Sequence, residues 1–163
     1  MARNVNYAEL TRFRQNLEQS LGSDAVNEFI ESCAKELAAR LLAKVIKRTP
    51  VGQYPKSSGK KGGTLRRGWT SQASGSGSEG LKTSGASQYV ETLKVHHFGD
   101  SYVIEIINPV EYASYVEYGH RTRSGDGWVE GKFMLTVSEQ EVQTDAPKIL
   151  ENKLKKKLGE VFK

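Results

Sequence analysis

The chain has little of what disulfide-rich, membrane-spanning or secreted proteins require. Cys33 is its one cysteine, so an internal disulfide is excluded and a reducing compartment is expected. No apolar run approaches the roughly 20 residues that cross a bilayer, and the first residues lack the apolar core of a secretory signal. We therefore expect a soluble protein that starts in the cytoplasm.

Residues with the spacing of a catalytic, cofactor or metal site are also missing. His96 and His97 are neighbours on an expected strand, so their side chains point to opposite faces and cannot share one metal. Residues 75–83 resemble a phosphate loop, but Leu81 separates the second glycine from the lysine that would meet the phosphates. We expect no metal, no cofactor and no catalytic residue, and hence no enzyme.

Acidic residues are absent from one long stretch, although the net charge of the whole chain is only +5. Residues 37–78 carry lysines and arginines alone, including a basic loop that consists of Lys56, Lys60 and Lys61. Such a block can follow a phosphate backbone, whereas the ordinary interpretation of a charge run is a solvated loop. One alternative function is therefore a nucleic-acid-binding module that uses the 37–78 stretch.

Two helices are expected in the first third of the chain. Apolar residues recur at helical spacing from about Tyr7 to Leu21 and predict a first helix. Ser23 is expected to cap a second, longer helix that ends before Pro50. Apolar pairs recur every four residues along this helix, so its apolar stripe turns by roughly 200° between the two ends. One end can cover a sheet of the same chain, while the other needs a further helix or a neighbouring subunit.

The middle of the chain is expected to form strands between loops. Gly, Ser, Lys and Pro dominate residues 52–63, and Gly and Ser dominate residues 73–86, so both are predicted as flexible loops. Strands are predicted at Thr64–Ser71 and Gln88–Phe98. A two-residue turn then leads into a returning strand at Ser101–Ile107, which makes a hairpin.

Helical segments are expected to complete the chain. The Asn-Pro pair at 108–109 is expected to start a short helix that ends at Gly119, and residues 121–131 are expected to form a polar loop. A C-terminal helical region is predicted from about Phe133 to Val161, with a restart at Pro147. This order predicts one α+β domain over all 163 residues, with an antiparallel sheet of three to four strands and long helices packed on one face.

Two arginines beside a tryptophan allow two interpretations. Arg66, Arg67 and Trp69 could stack on and clamp nucleic acid. They also suit ordinary packing of a strand in which an arginine has a buried partner. Glu117 is the partner that we expect, in an ion pair that ties this strand to the short helix.

Four motifs together resemble a known family. In chain order they are Thr49-Pro50-Val51-Gly52, Gly63-Thr64-Leu65-Arg66-Arg67-Gly68-Trp69, Tyr112-Ala113-Ser114-Tyr115-Val116-Glu117-Tyr118-Gly119-His120 and Gly131-Lys132-Phe133-Met134-Leu135. Over about Arg48 to Leu135 the chain resembles the tail-component and head–tail joining family of long-tailed bacteriophages, which includes tail-completion and tail-terminator-like proteins. It departs from the family by inserting Gln53–Gly62 where Asp-Thr-Gly-x-Leu is usual.

The resemblance implies a small α+β subunit that forms a ring of six copies at the head-proximal end of a phage tail. Such a ring terminates the tail tube and joins it to the neck, without catalysis. The implied partners are further copies of the chain and tail-tube, sheath or neck proteins, with passing contact with DNA in the lumen. The implied location is the tail of a virion or tail-like particle, after assembly in the host cytoplasm.

Large aromatic and charged side chains of these motifs are candidates for contacts between subunits or with partners. In the short helix, Tyr112, Tyr115 and Val116 are expected to share one face. The interface candidates are Arg66, Arg67, Trp69, Tyr112, Tyr115, Glu117, Trp128 and Phe133, together with Lys56, Lys60 and Lys61 of the basic loop.

Overall fold

The computed structural model describes residues 22–70 and 85–161, together with Thr11, Arg14 and Gln15. Apart from those three residues, the predicted first helix lies outside this part, as does most of the predicted 73–86 loop. Within it, no helix is long and apolar enough to span a lipid bilayer.

The described α-helices are α1 (Ser23–Arg48), α2 (Thr64–Gly68), α3 (Ala86–Thr92), α4 (Ala113–Tyr118) and α5 (Met134–Val161). The described strands are β1 (His96–Phe98), β2 (Ser101–Val103), β3 (Gly119–Arg121) and β4 (Trp128–Glu130).

The second predicted helix is confirmed, since α1 ends at Arg48 ahead of Pro50. Its N-cap is Gly22 and no side chain caps it, so the prediction that Ser23 is the cap is wrong. Gly22 has a φ of 83°, a left-handed backbone that glycine adopts without a Cβ clash. The chain therefore enters α1 through a glycine turn rather than a hydroxyl cap.

The apolar stripe of α1 rotates along the helix as its four-residue repeat predicts. Val26 and Cys33 are buried towards its start. The buried residues of its second half lie on a side turned by roughly 150° from these, and they are Ala38, Leu42, Val45 and Ile46. This second half packs into the core with residues of α2, α3 and the start of α5.

The core is anchored where the end of α1 meets α2. Thr49 follows α1 and has no exposed surface. Its hydroxyl donates to the Val45 carbonyl at 2.7 Å and accepts from the Trp69 indole N–H at 2.8 Å. Its carbonyl accepts two bonds from the Arg66 guanidinium, at 2.7 and 3.2 Å. Because buried polar groups must be hydrogen-bonded, the Thr49 and Arg66–Trp69 motifs form one packing unit.

The predicted strand at Thr64–Ser71 is wrong, because residues 64–68 form the helix α2. Leu65, Gly68 and Trp69 are all buried, and their i, i+3, i+4 spacing is that of one helical face. Gly68 lets the chain at Asn108 cross α2 closely, and the Asn108 amide donates to the Leu65 carbonyl at 2.9 Å. The strand prediction assumed the two-residue alternation of a strand, whereas the buried residues have the spacing of a helix.

The predicted strand at Gln88–Phe98 is correct only at its end. Residues 86–92 form α3, and β1 covers His96–Phe98 alone. The helical spacing is again visible in the buried residues of α3, which are Ala86, Tyr89 and Val90.

Two separate hairpins replace the expected sheet of three to four strands. β1 pairs with β2 around the expected two-residue turn, with His97 opposite Tyr102. β3 pairs with β4, with His120 opposite Val129. Arg121 and all of β4 lie inside the segment that was predicted as a polar loop. Among the described residues, each hairpin is a two-stranded sheet of its own. The α+β class is therefore confirmed, with less sheet than predicted.

The short helix α4 begins later than predicted, at Ala113 rather than after the Asn-Pro pair. Asn108 is engaged elsewhere, since its side-chain oxygen accepts from the Val110 N–H at 3.2 Å and its amide bonds to Leu65. This side-chain turn competes with a helix start. Gly119 does follow the helix, with a φ of 87°.

The C-terminal helix α5 is continuous, so the predicted restart at Pro147 is wrong. Proline removes one backbone donor and leaves the carbonyl four residues earlier without it. Gln143 and Pro147 both lie at exposed positions, and the helix continues through them. Thr144, one of the two residues expected to cap the restart, instead donates its hydroxyl to the Gln140 carbonyl at 2.9 Å.

A cluster of charges ties α5 to α1. Glu141 accepts from Lys44 Nζ at 2.9 Å and from Arg48 Nη2 at 2.6 Å. Arg48 also donates to the hydroxyl of Ser138, which has no exposed surface. The hydrogen bond from Lys44, and to a smaller extent the one from Arg48, lowers the pKa of Glu141 below its ordinary value of 4.5.

We expect alanine at Gly68 to destabilise the protein by about 1–3 kcal/mol, the usual cost of overpacking. Its Cβ would lie 2.2 Å from Asn108 Oδ1 and 2.8 Å from a Val110 methyl. Urea denaturation measures the change. The control is Gly159→Ala, where nothing lies within 4 Å of the new Cβ, and which should be neutral or stabilising. Equal stability of the two variants would contradict the close packing at Gly68.

The lowered pKa of Glu141 predicts a loss of stability in acid. Its contribution is fully present above pH 4.5, the ordinary value, and is lost as the pH falls through the lower folded-state pKa. Glu141→Gln should therefore flatten the decline of melting temperature below pH 4.5. The control Glu139→Gln, at an exposed position of the same helix, should keep the wild-type slope. A Glu141→Gln slope as steep as that of wild type would refute this role.

Candidate partner-binding surface

A buried carboxylate fixes the geometry of the region between α4 and α5. Glu117 is only 5% exposed. Its two oxygens accept the backbone N–H groups of Leu135 and Thr136, each at 2.9 Å, and one of them also accepts the Thr136 hydroxyl at 2.8 Å. These N–H groups belong to the first turn of α5, where no helical carbonyl is available and a negative charge is favoured. Glu117 therefore caps α5 from the neighbouring helix.

The predicted ion pair between Arg66 or Arg67 and Glu117 is wrong. Arg66 bonds to the Thr49 carbonyl, and Arg67 donates to the Gly62 carbonyl at 3.2 Å. The Glu117 carboxylate instead accepts hydrogen bonds from the backbone N–H groups of Leu135 and Thr136. Arg66 therefore ties α2 to the end of α1, and Glu117 ties α4 to α5, rather than the two residues joining α2 to α4.

The chain between β4 and α5 passes unusually close to α4. A Cβ on Gly131 would lie 2.3 Å from the Glu117 carbonyl oxygen, so glycine is required there. Lys132 and Phe133 then donate their N–H groups to the Val116 and Glu117 carbonyls, at 2.7 and 3.0 Å. Phe133 has a φ of 46°, which is strained for a bulky side chain. These contacts hold the strained backbone in place.

Five exposed aromatic residues surround this framework, and we call them the aromatic surface. Their side chains are 44% to 62% exposed. Three lie on α4 or its N-cap, while Ala113, Val116 and Glu117 turn inwards. The members of the aromatic surface are Tyr112, Tyr115, Tyr118, Trp128 and Phe133.

The structure brings together some of the predicted interface residues and buries others. Tyr112, Tyr115, Trp128 and Phe133 belong to the aromatic surface. Trp69, at 4% exposure, and Glu117 are buried within the chain and cannot present a surface, while Arg66 is half-buried and Arg67 exposed in the α2 packing unit. The expectation that Val116 shares a face with the tyrosines is wrong, since it packs against the core.

Tyr118, which is 62% exposed, was not among the interface residues expected from the sequence. The signal was present, because Tyr112, Tyr115 and Tyr118 recur every three residues and so follow one side of a helix. Residues at this spacing are usually taken as buried. Here the inward positions are the small Ala113 and the capping Glu117 instead.

Much of the basic 37–78 stretch is used inside the fold. Arg40 pairs with Glu36 in the same helix, and Lys44 and Arg48 hold Glu141. Within the described residues, the remaining lysines form no ion pair, and they are Lys47, Lys56, Lys60 and Lys61. Among the described residues, the nucleic-acid alternative therefore keeps the basic loop, Lys47 of α1 and the exposed Arg67.

The described residues offer little reactive chemistry. An apolar cavity of about 420 Å³ lies between α1, β2 and α5 and is lined in part by Cys33 and Leu37. Burial raises the pKa of the Cys33 thiol to about 11, so this thiol stays protonated and unreactive. In the described part of the chain, no three His, Cys, Asp or Glu side chains are placed to hold a metal ion.

One protein-family model matches residues 11–119, and its description reads "Bacteriophage HK97-gp10, putative tail-component". The chain belongs to this HK97-gp10-like family. The resemblance to phage tail components is thereby confirmed, and it makes this a structural protein of the bacteriophage tail. The match ends at Gly119, the first residue of the second hairpin, and so does not include the rest of that hairpin or α5. No curated protein and no solved structure is significantly similar to the chain.

We expect Glu117→Ala to lower the free energy of unfolding by about 2–3 kcal/mol, because two buried N–H groups lose their acceptor. Thr136→Val removes one of the three bonds to Glu117 and should cost less. Denaturant unfolding measures both variants.

A double-mutant cycle separates this capping role from the ion pair that the sequence suggested. Glu117→Ala and Arg66→Ala should be additive, whereas Glu117→Ala and Thr136→Val should be coupled. Coupling of more than about 0.5 kcal/mol between Arg66 and Glu117 would contradict the observed geometry.

Proposed function

We propose that this tail component assembles as a ring at the head-proximal end of the tail, where it terminates the tail tube and joins it to the neck. The observation that carries the proposal is the aromatic surface, which a monomer leaves in water. Contiguous exposed apolar patches mark interaction sites. Aromatic side chains are also the residues that contribute most to protein–protein interfaces.

The aromatic surface suits binding because its support is already ordered. Gly131 packs against the backbone of α4, and the Glu117 carboxylate and carbonyl bond to residues 133–136. A surface that is fixed before contact loses less conformational entropy on binding than a flexible one. The tyrosines, Trp128 and Phe133 can therefore act as anchors for a partner surface.

A closed ring places two different surfaces of each copy in contact, because its symmetry is head-to-tail. The low hydrophobic content of the chain, 37%, favours a subunit that completes its buried surface by assembly. In this proposal the aromatic surface contacts a neighbouring copy or a tail-tube, sheath or neck protein. The proposed copy number is six.

We expect Tyr115→Ser and Trp128→Ser each to weaken self-association about thirtyfold, from the roughly 2 kcal/mol that a central interface aromatic contributes. Both positions are exposed in the monomer, so folding should be unchanged. Sedimentation over a range of concentrations measures the assembly. The matched controls Tyr115→Phe and Trp128→Phe keep an aromatic ring and should assemble nearly as wild type does.

Imaging locates the ring that sedimentation detects. Negative-stain images of the assembled wild-type protein should show closed rings, and gold-labelled protein should mark the head-proximal end of tails. A wild-type protein that stays monomeric at every concentration and in the presence of tail tubes would overturn the proposal. Serine variants that assemble as well as wild type would remove the aromatic surface from it.

A further inference from the structure

An extended segment continues β2 without a partner strand. β2 pairs with β1 only as far as Val103. From Ser101 to Val110, exposed and half-buried residues then alternate strictly, which is the period of a β-strand with one covered face. Ile104 and Ile106 pack against the core, while Glu105 and Ile107 face outwards.

The backbone of residues 104–107 makes no hydrogen bond within the part of the chain that the structure describes. Within that part its N–H and C=O groups have no protein partner, on a segment whose apolar side chains already pack against the core. A row of unpaired backbone N–H and C=O groups is a template for pairing with another strand. We call this row the 104–107 edge.

We propose that the 104–107 edge pairs with strand β3 of a neighbouring copy of this chain, so that a strand is added across the subunit boundary. The inference rests on the proposed ring and names the contact that closes it. The edge and β3 are different parts of the subunit. Their pairing is therefore head-to-tail and generates a ring when the rotation closes.

The β3–β4 hairpin is suited to this role because it is preformed and exposed. All three residues of β4 and two of β3 are exposed. The N–H of Thr122 donates to the Gly127 carbonyl at 2.9 Å and closes the loop. At its base, Gly119 packs against the Val129 carbonyl, where a Cβ would lie at 2.5 Å. Within the described residues the strands pair only with each other, so each keeps one open edge.

Charge selects β3 rather than β4 as the paired strand. Glu105 and Glu111 are exposed and form no ion pair among the described residues. Arg121 ends β3 and Arg123 follows it, and both are likewise exposed and without an ion pair in this part of the chain. The hairpin's acidic residues lie in the loop and on β4, at Asp126 and Glu130. The basic strand therefore faces the acidic edge, with Val103 and Ile107 available for apolar contact.

Amide hydrogen exchange of the full chain, read by mass spectrometry, tests the pairing. In dilute monomer the amides of residues 104–107 should exchange rapidly. In assembled protein they should slow by about tenfold or more, together with those of β3. Rings in which residues 104–107 exchange as fast as in the monomer would overturn the inference and leave the proposed ring intact.

Disulfide cross-linking identifies the strand that occupies the edge. One copy carries Glu105→Cys, and a copy of different mass carries His120→Cys, Arg121→Cys or Arg123→Cys, so that the register is scanned. A bond forms only when the two Cα atoms come within about 7 Å, so at least one pairing should link the two copies. The control partner Ser87→Cys, at an exposed position of α3, should not link.

The remaining outcomes concern which strand pairs with the 104–107 edge and whether the ring forms at all. Glu105→Cys linking mainly to itself would show symmetric edge pairing and overturn the β3 assignment. Protection of residues 104–107 that appears only when tail tubes are added would assign the edge to a tube protein and also overturn it. A chain that never assembles, alone or with tubes, contradicts the proposed function and the inference with it.

Discussion

The carboxylate of Glu117 is the contact on which the exposed face of this tail component depends. It caps α5 from α4, while the carbonyl of the same residue holds the N–H of Phe133. Side chain and backbone of one buried residue therefore fix both the helix and the chain that leads into it. Gly131 has to be a glycine for this approach to be possible. Without the cap, α4 with its tyrosines and the segment that carries Trp128 and Phe133 could shift against α5.

A second buried group completes the framework at the other end of the core. Thr49 binds Trp69 and Arg66, and Arg48 beside it reaches the hydroxyl of Ser138 on α5. The two buried centres are thus joined through α5, one turn apart along the helix. The motifs that resemble the tail-component family are mostly packing units, which explains their glycines and their buried hydroxyl, carboxyl and indole groups.

The long helices could be predicted from the sequence, whereas the short elements could be predicted only in part. The turn of the first hairpin and the end of α4 at Gly119 were expected, but α2 and the second hairpin were not. Over 26 residues, the apolar repeat and the following proline leave one interpretation of α1. In α2, Leu65 and Trp69 are four apart, so they lie on one face of either a helix or a strand. Their spacing does not distinguish the two structures, and the close contact of Gly68 with Asn108 is visible only in the folded chain. The hydrogen-bond partner of Glu117 could not be predicted from the sequence either. Nearly every residue carries a backbone N–H group, so the residue type does not show which ones Glu117 binds. The exposed tyrosines share the spacing of core residues, and burial alone distinguishes the two.

Around α4 the subunit directs large aromatic groups outwards, while Ala113, Val116 and Glu117 take the inward positions. Ala113 and Glu117 occupy the inner side of α4, and Ser138 and Thr49 are fully buried. A monomer would gain more by burying the tyrosines, so this arrangement is costly unless assembly covers them. Both proposed contact surfaces are fixed to the buried centres, the 104–107 edge through Asn108 and the hairpin through Gly119 and Gly131. Since neither must become ordered on contact, even modest interfaces repeated around a ring can hold it closed.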